Sequence, residues 1–302
     1  MSQENSANMD TLHINAASSS NRGRVREQNE DAVALYIPSD QTLLEHLGHL
    51  YLLADGAGGH AAGEVASRLA VETIASVYYD QNTVRASVTG NASSGATQMH
   101  PQDVYEDRTL LRKRIQQAFL AAHTRLLQEA TVKPEYSGMA TTCVAAVVKG
   151  KHLLIAHVGD SRAYLLHTTE APPAMTRLTT DHSMVTELAR AGAITPEQMQ
   201  TSSARHIILR ALGGRKQETV EPDITTGDIH AGESLILCCD GTWGMISEAQ
   251  IATVVRSNTP QAACDELIRL ANEAGGEDNS SVVVVAFMQD REEQEDDRES
   301  KC

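Results

Sequence analysis

The sequence predicts an α+β fold, a set of strands covered by a few long helices, and three observations predict it. Short apolar runs, TCVAAVV, HLLIAHV and RAYLL, follow one another with breaks of only a few residues, which favours antiparallel neighbours. Two long stretches, 63–79 and 109–129, space their apolar residues at a helical period. The last apolar run, SVVVVAF from Ser281, is continuous, as in a strand buried on both faces.

In chain order, residues 1–10 are polar and expected to be disordered. LHINAAS from Leu12 alternates as a first strand, AVALYI from Ala32 forms a second and HLYLLAD from His49 a third, with a short acidic, amphipathic connector between the last two. The helix over 63–79 follows a Gly-rich turn and carries Val65, Leu69, Val71, Thr73 and Ile74. From Asp80 to Asp107 the composition turns to Ser, Thr, Gly, Gln and Asn, which bury too little surface to order easily. Residues 80–107 therefore read as an inserted surface loop. The helix over 109–129 places Leu110, Leu111, Ile115, Ala118, Phe119, Ala122 and Leu126 on one broad face.

After SGMATT come the three short strands. Residues 183–214 read as helical and polar, with Pro196 opening a second short helix, and strands return near Val220 and Leu235. Helices follow near Ser247–Val255 and Pro260–Ala274. The folded domain thus covers 11–288, and residues 289–302, rich in Asp, Glu and Arg, form a solvated acidic tail.

At 302 residues with motifs spread along nearly all of them, one large domain is favoured over two small ones. Hydrophobic residues at 41% supply a sizeable core, and with aromatics at 3% that core is mainly Leu, Ile, Val, Ala and Met. A formal net charge of −15 argues against nucleic-acid and anionic-membrane surfaces, which need concentrated Lys and Arg. The five Cys form no C-x-x-C pair and no zinc-like spacing, which fits a reducing, cytoplasmic setting. Cys238 and Cys239 read as small buried hydrophobes. No secretory signal pattern and no apolar stretch long enough to span a bilayer is present.

Four Asp residues stand at ends of apolar runs, each beside Gly or in a polar turn: Asp55 in YLLADGAGG, Asp160 in LIAHVGDSRAY, Asp240 in LILCCDGTWG and Asp278 in AGGEDNSSVVVV. One Asp-Gly is a turn signal; four carboxylates delivered to strand ends suggest a hard-metal site, because Mg²⁺ and Mn²⁺ prefer oxygen ligands. The net negative charge does not exclude a phosphate ligand, since bound cations reverse the local sign.

The segments GRVREQNEDA, ADGAGGHAAGE, SGMATT, VGDSRAY, LTTDHSMV, ALGG, CDGTWG and GGEDNSS occur in an order that resembles the bacterial branch of the PP2C (PPM) metal-dependent protein Ser/Thr phosphatases, from Ile14 to about Phe287. The resemblance implies two packed antiparallel β-sheets flanked by helices, with Mn²⁺ or Mg²⁺ ions at one end of the sandwich. It implies Asp55 as the carboxylate bridging two ions, the Gly56 carbonyl on the second, Asp240 and Asp278 on the first, and Glu30 and Asp31 facing the second directly or through water. It further implies in-line attack on phosphoserine or phosphothreonine by a hydroxide bridging the two ions. Asp160, otherwise a turn residue, matches a position that shares a weaker third ion with Asp240; Gly244 stands where many eukaryotic members carry a further Asp.

Arg26 matches the residue that grips substrate phosphate, for which a planar guanidinium is suited. Ala57 replaces the His or Met found in other members, so the leaving group takes its proton elsewhere. A metal-bound water is one source and His60, otherwise a structural residue of the Gly-rich turn, is another. Residues 183–214 correspond to a substrate-selecting flap. The implied partners are Ser/Thr-phosphorylated proteins and a cognate kinase, with the enzyme a monomer; the other function class is a catalytically weak phosphoprotein-binding module.

Three other patterns are set aside. Gly56-x-Gly58-x-x-Ala61 mimics a dinucleotide turn but leads into a polar insertion instead of a second parallel strand. Asp181-His182-Ser183 has the letters of a catalytic triad, but contiguous residues do not converge as a triad must. Asp181 is instead expected to be a buried hydrogen-bonding residue tying the flap to the sandwich. Gly159–Ala163 lacks the last Gly and the following helix of a nucleophile elbow.

Overall fold

The computed structural model describes residues 12–57, 61–80, 101–167, 174–214 and 219–289. Its first half runs β1 (Leu12–Asn21), β2 (Asp31–Tyr36), α1 (Gln41–Leu47), β3 (His49–Ala57), α2 (Ala61–Tyr78), α3 (Pro101–Val132), β4 (Ala140–Thr141), β5 (Cys143–Lys149) and β6 (His152–Val158). The second half runs β7 (Arg162–His167), β8 (Ala174–Arg177), α4 (Met184–Arg190), α5 (Pro196–Thr201), β9 (Leu212–Gly213), β10 (Asp223–Asp228), β11 (Glu233–Cys238), α6 (Asp240–Trp243), α7 (Glu248–Ser257), α8 (Pro260–Glu273) and β12 (Ser280–Gln289).

The strands form two sheets with antiparallel pairing throughout. A five-stranded sheet has the order β1-β12-β11-β7-β8, and a seven-stranded sheet has the order β10-β6-β5-β3-β4-β9 with β2 on the other side of β3. Short connections explain this pairing. β5 and β6 are joined across Gly150 and Lys151 with Lys149 opposite His152, and Gly150 at φ 56° supplies the left-handed residue that a two-residue hairpin turn needs.

Side-chain alternation then builds four layers. On β3, Leu50, Leu52 and Ala54 point to one face and pack with Ile74 and Tyr78 of α2 and Ile115, Phe119 and Leu126 of α3. Tyr51 and Leu53 point to the other face and meet Leu235, Leu237, Val283 and Val285 across the gap between the sheets. Val282 and Val284 point outward again, onto Ile251 and Val255 of α7 and Leu267 and Ile268 of α8. The run of valines in β12 is therefore apolar on both faces because both faces are covered.

The helices carry their own end signals. Ser247 and Gln250 form a reciprocal capping box at α7, Thr195 and Gln198 form another at α5, and Pro260 opens α8. The last carbonyls of α2 are met by a buried guanidinium: Arg114 of α3 donates to Tyr78 O at 2.8 and 2.6 Å and to Asp80 O at 3.0 Å.

Several expectations shift. α3 starts at Pro101, so residues 101–107 are helical and not part of a loop. The rest of the expected insertion beyond Asp80, the N-terminal segment 1–10 and the tail after Gln289 lie outside the described residues. The connector before β3 is a helix, α1, capped by Asp40, whose carboxylate accepts from Thr42 and Leu43 N–H. On α2 the buried stripe is Ala66, Ala70, Val71, Ile74 and Tyr78, while Val65 and Leu69 are only partly covered. Strand β10 begins at Asp223, three residues after the expected place. Among the described residues no helix is long and apolar enough to cross a membrane.

Candidate metal centre

The alternation that fills the gap between the sheets also sets the site. Asp55 lies on the same face of β3 as Tyr51 and Leu53, and Asp31 lies on the same face of β2 as Val33 and Leu35. Asp31 and Asp55 are directly opposite in the antiparallel register, so their carboxylates are neighbours. From the other sheet, Leu235, Leu237 and Cys239 share one face, and Ser281 has the parity of Val283 and Val285. Asp240 immediately follows Cys239 as the first residue of α6, and Asp278 precedes β12. Two carboxylates from each sheet thus meet at one end of the sandwich, with Asp55 and Asp240 within electrostatic reach of each other.

Each ligand candidate is held from behind. Asp31 Oδ2 accepts from Ser281 Oγ at 2.6 Å and from Cys239 Sγ at 3.3 Å. Asp31 Oδ1 is buried without a partner. The Asp55 carbonyl accepts from Thr141 Oγ1 and Thr142 N–H, both at 2.8 Å, and Thr142 Oγ1 pairs with Ser161 Oγ at 2.7 Å beside Asp160. Gly56 is required by a close approach: its N–H donates to Glu30 O at 3.1 Å, and an added Cβ would overlap the Gly63 carbonyl. Gly63 in turn seats the Glu30 side chain, since a Cβ there would lie 2.6 Å from Glu30 Cδ.

Asn279 ties the loop of residues 22–30 to β12. Its Oδ1 accepts from Glu30 N–H at 2.8 Å, and its Nδ2 donates to Arg22 O at 2.9 Å and Gln28 O at 2.8 Å. That loop carries Arg26, which lies at the rim with its side chain half exposed and donates to Asp278 Oδ2 at 2.6 Å.

The electrostatics are those of clustered buried acids. Burial pushes the Asp31 carboxyl up to about 7; Ser281 and Cys239 pull it down, while Asp240 and Asp278 raise it further. Burial, then repulsion from Asp31, Asp240, Asp160 and Asp278, holds Asp55 well above the usual carboxylate range. Asp240 is raised by burial and by Asp278. Burial and Asp240 push Asp160 up to about 7. Carboxylates that repel one another, with a shielded, unpartnered oxygen on Asp31 among them, suit a hard divalent cation, which needs anionic oxygen donors. The donor set fits Mn²⁺ or Mg²⁺.

The structure brings Asp31, Asp55, Asp240 and Asp278 together, with Glu30, Gly56 and Arg26 against them. Asp160 is at the edge, in the turn between β6 and β7 and within electrostatic reach of Asp240. His60 lies outside the described residues. Sequence reasoning missed Asn279, Ser281 and the polar role of Cys239, whose buried thiol is raised well above its ordinary range and so stays a hydrogen-bond donor. It also missed Trp243, whose Nε1 donates to Asp160 O at 3.1 Å and whose ring lies 3.4 Å beneath the Arg162 guanidinium.

Asp181, His182 and Ser183 do not converge. Asp181 takes a bidentate pair from Arg162 at 3.0 and 2.7 Å, while His182 Nδ1 accepts from Gly159 N–H at 3.0 Å. Segment 183–214 is pinned to this turn: Leu209 N–H donates to His182 O, and Arg210 bridges His182 and Asp223.

A family profile described as Protein phosphatase 2C matches residues 15–280. The chain is 33% identical over 259 residues to the serine/threonine phosphatase Stp of Listeria innocua, covering 85% of this chain and 90% of that protein. It is 34% identical over 269 residues to the serine/threonine protein phosphatase PstP of Mycobacterium tuberculosis, covering 89% of this chain and 44% of that longer protein. Among solved structures, the catalytic domain of PstP in complex with two manganese ions superposes with a TM-score of 0.68 at 31% identity, covering 92% of this chain and all of that one.

Proposed function

The chain belongs to the protein phosphatase 2C family, and on that premise we propose that it removes phosphate from phosphoserine and phosphothreonine in proteins at a two-cation centre. The observation that carries this reading is the meeting of Asp31 and Asp55 from one sheet with Asp240 and Asp278 from the other around a buried, unpartnered carboxylate oxygen. Asp55, Asp240, Asp278, Asp31, Glu30 and the Gly56 carbonyl are the groups that would hold the two cations. Bound there, Mn²⁺ or Mg²⁺ supplies a water ionised near neutral pH and positive charge for the phosphoryl oxygens.

The protein's own groups do the rest. Arg26 has five N–H donors, so it can keep its contact with Asp278 and still present a planar pair to phosphate. Asn279 holds the Arg26 loop in place. Ala57 carries no proton donor, and we assign protonation of the leaving oxygen to His60 or a water. Asp160, with Asp240, would take a weaker third cation. The protein acts, in this reading, as a cytoplasmic monomer opposing a Ser/Thr kinase, with segment 183–214 selecting substrates.

The test is hydrolysis of a phosphothreonine peptide by metal-stripped protein with Mn²⁺ or Mg²⁺ restored, for wild type and Asp240→Asn in parallel. Metal-dependent turnover lost in the variant supports the reading. No turnover with either ion, in protein that melts cooperatively, overturns it in favour of a phosphoprotein-binding module.

A further inference from the structure

Cys239 closes the run LILCC with its side chain on the face between the sheets. Its sulfur, a carboxylate oxygen of Asp31 and one of Asp55 lie within 4.8 Å of one another, and Asp31 Oδ1 in the same corner has no partner. We propose that Cys239, Asp31 and Asp55 form a mixed sulfur and oxygen site for a thiophilic dication, Zn²⁺ or Cd²⁺, which competes with the hard ions for the shared carboxylates. The inference rests on the Asp31–Asp55 face being a metal centre, and it does not depend on turnover.

The existing separations suit such an ion. Sγ and Asp31 Oδ2 are 3.3 Å apart, and with zinc–sulfur and zinc–oxygen bonds of about 2.3 and 2.1 Å that separation corresponds to an angle of about 97° at a zinc ion. This lies between octahedral and tetrahedral values, so the two atoms need little movement. At present an S–H hydrogen sits between them as the electrophile. On binding, the S–H bond breaks, the metal–sulfur bond forms and the proton leaves to solvent, with no change of oxidation state. A thiolate favours Zn²⁺ and Cd²⁺ over Mg²⁺ and Mn²⁺. Serine in this position would give Asp31 the same kind of hydrogen bond and none of this preference.

Among the described residues a second cluster with metal-ligand atoms, His157, His182 and Asp223, is chemically different. Its rings are stacked 4.6 Å apart at 12°, His182 Nδ1 already accepts from Gly159 N–H, and the Arg210 guanidinium occupies the space, donating to Asp223 and lying against His182 Nε2. That arrangement repels a cation.

The experiment titrates Cd²⁺ into metal-stripped full-length protein carrying Cys302→Ser, which removes the cysteine of the acidic tail. It reads the ultraviolet sulfur-to-cadmium charge-transfer band. The expected result is a band that saturates at one ion per chain, is lost on adding Cys239→Ser, and is suppressed when the protein is first loaded with Mn²⁺. X-ray absorption at the metal edge, on the Cys302→Ser protein alone, should show one sulfur among the donors and needs no variant at Cys239. An all-oxygen shell, or a band undiminished by Cys239→Ser, overturns the proposal. Mn²⁺-dependent hydrolysis measured on the same preparation separates the two readings: turnover without the band sinks only the sulfur site, and the band without turnover sinks only the phosphatase.

Discussion

Replacing Asn279 should disable the centre from behind while leaving every carboxylate in place. The side chain is 5% exposed, and its amide makes three hydrogen bonds to the backbone of the loop that carries Arg26 and Glu30. The orientation is unambiguous, because an N–H faces the oxygen and two carbonyls face the nitrogen. At about 0.5–1.5 kcal/mol for each bond, with buried partners left unsatisfied, Asn279→Ala should lower unfolding free energy by about 2–4 kcal/mol. With a urea slope of about 2 kcal/mol/M, the midpoint should fall by about 1–2 M. Asn279→Asp keeps the shape but turns the donor into an acceptor facing Arg22 O and Gln28 O, and should be at least as damaging. Both variants should also raise KM for a phosphopeptide, since the loop positions Arg26. The assay is urea unfolding of the Mn²⁺-loaded protein followed by steady-state kinetics. An Asp variant as stable as wild type, or an Ala variant within about 0.5 kcal/mol of it, would refute the reasoning.

Ser281→Ala removes the 2.6 Å bond that fixes Asp31 Oδ2, and calorimetry should show Mn²⁺ binding weakened about 10–100-fold, with Ser281→Thr recovering most of it. Arg162→Lys keeps the charge but loses the bidentate contact with Asp181 and the stack on Trp243, and urea unfolding should report a loss of about 2–3 kcal/mol. In metal-free protein Asp31 and Asp160, raised from 3.8 to about 7, keep protons that the unfolded chain has lost. Their contribution therefore falls as pH rises from about 4 to 7. His182, lowered from 6.5 to about 4 by burial first and then by His157 and Arg210, works in the opposite direction between those values. The quantity to read is the difference between metal-free and Mn²⁺-loaded protein, which should widen as pH rises from about 4 to 7.

Much of this was legible in the chain because the informative signals are local. Period-two alternation marks β3 and β12, and an Asp closing an apolar run marks a carboxylate at a sheet end. Features made by distant residues were not legible. Cys239 looks like a small hydrophobe until β2 from the other sheet brings Asp31 against its sulfur, and Asn279 finds its partners about 250 positions away. The four residues of α6 and the two-residue strands β4 and β9 are too short to show any period. The start of α3 did carry a signal, Pro101 as first helical residue, but the polar run before it outweighed that one cue.

Among the described residues the first strand has the last as its sheet partner. β1 pairs over its whole length with β12, residue 12 opposite 289 and residue 21 opposite 280. During synthesis at about 5–20 residues per second, β1 waits roughly 13–50 s before its partner leaves the ribosome. For that time its hydrogen-bonding edge is open to other chains or to a chaperone. Asp278 is made in the same final stretch, so Asp31 and Asp55 emerge long before the centre they belong to can close. A growing chain of this protein is therefore silent toward phosphoproteins until its sheet is complete, and its dependence on chaperones should be set by how quickly ribosomes finish it.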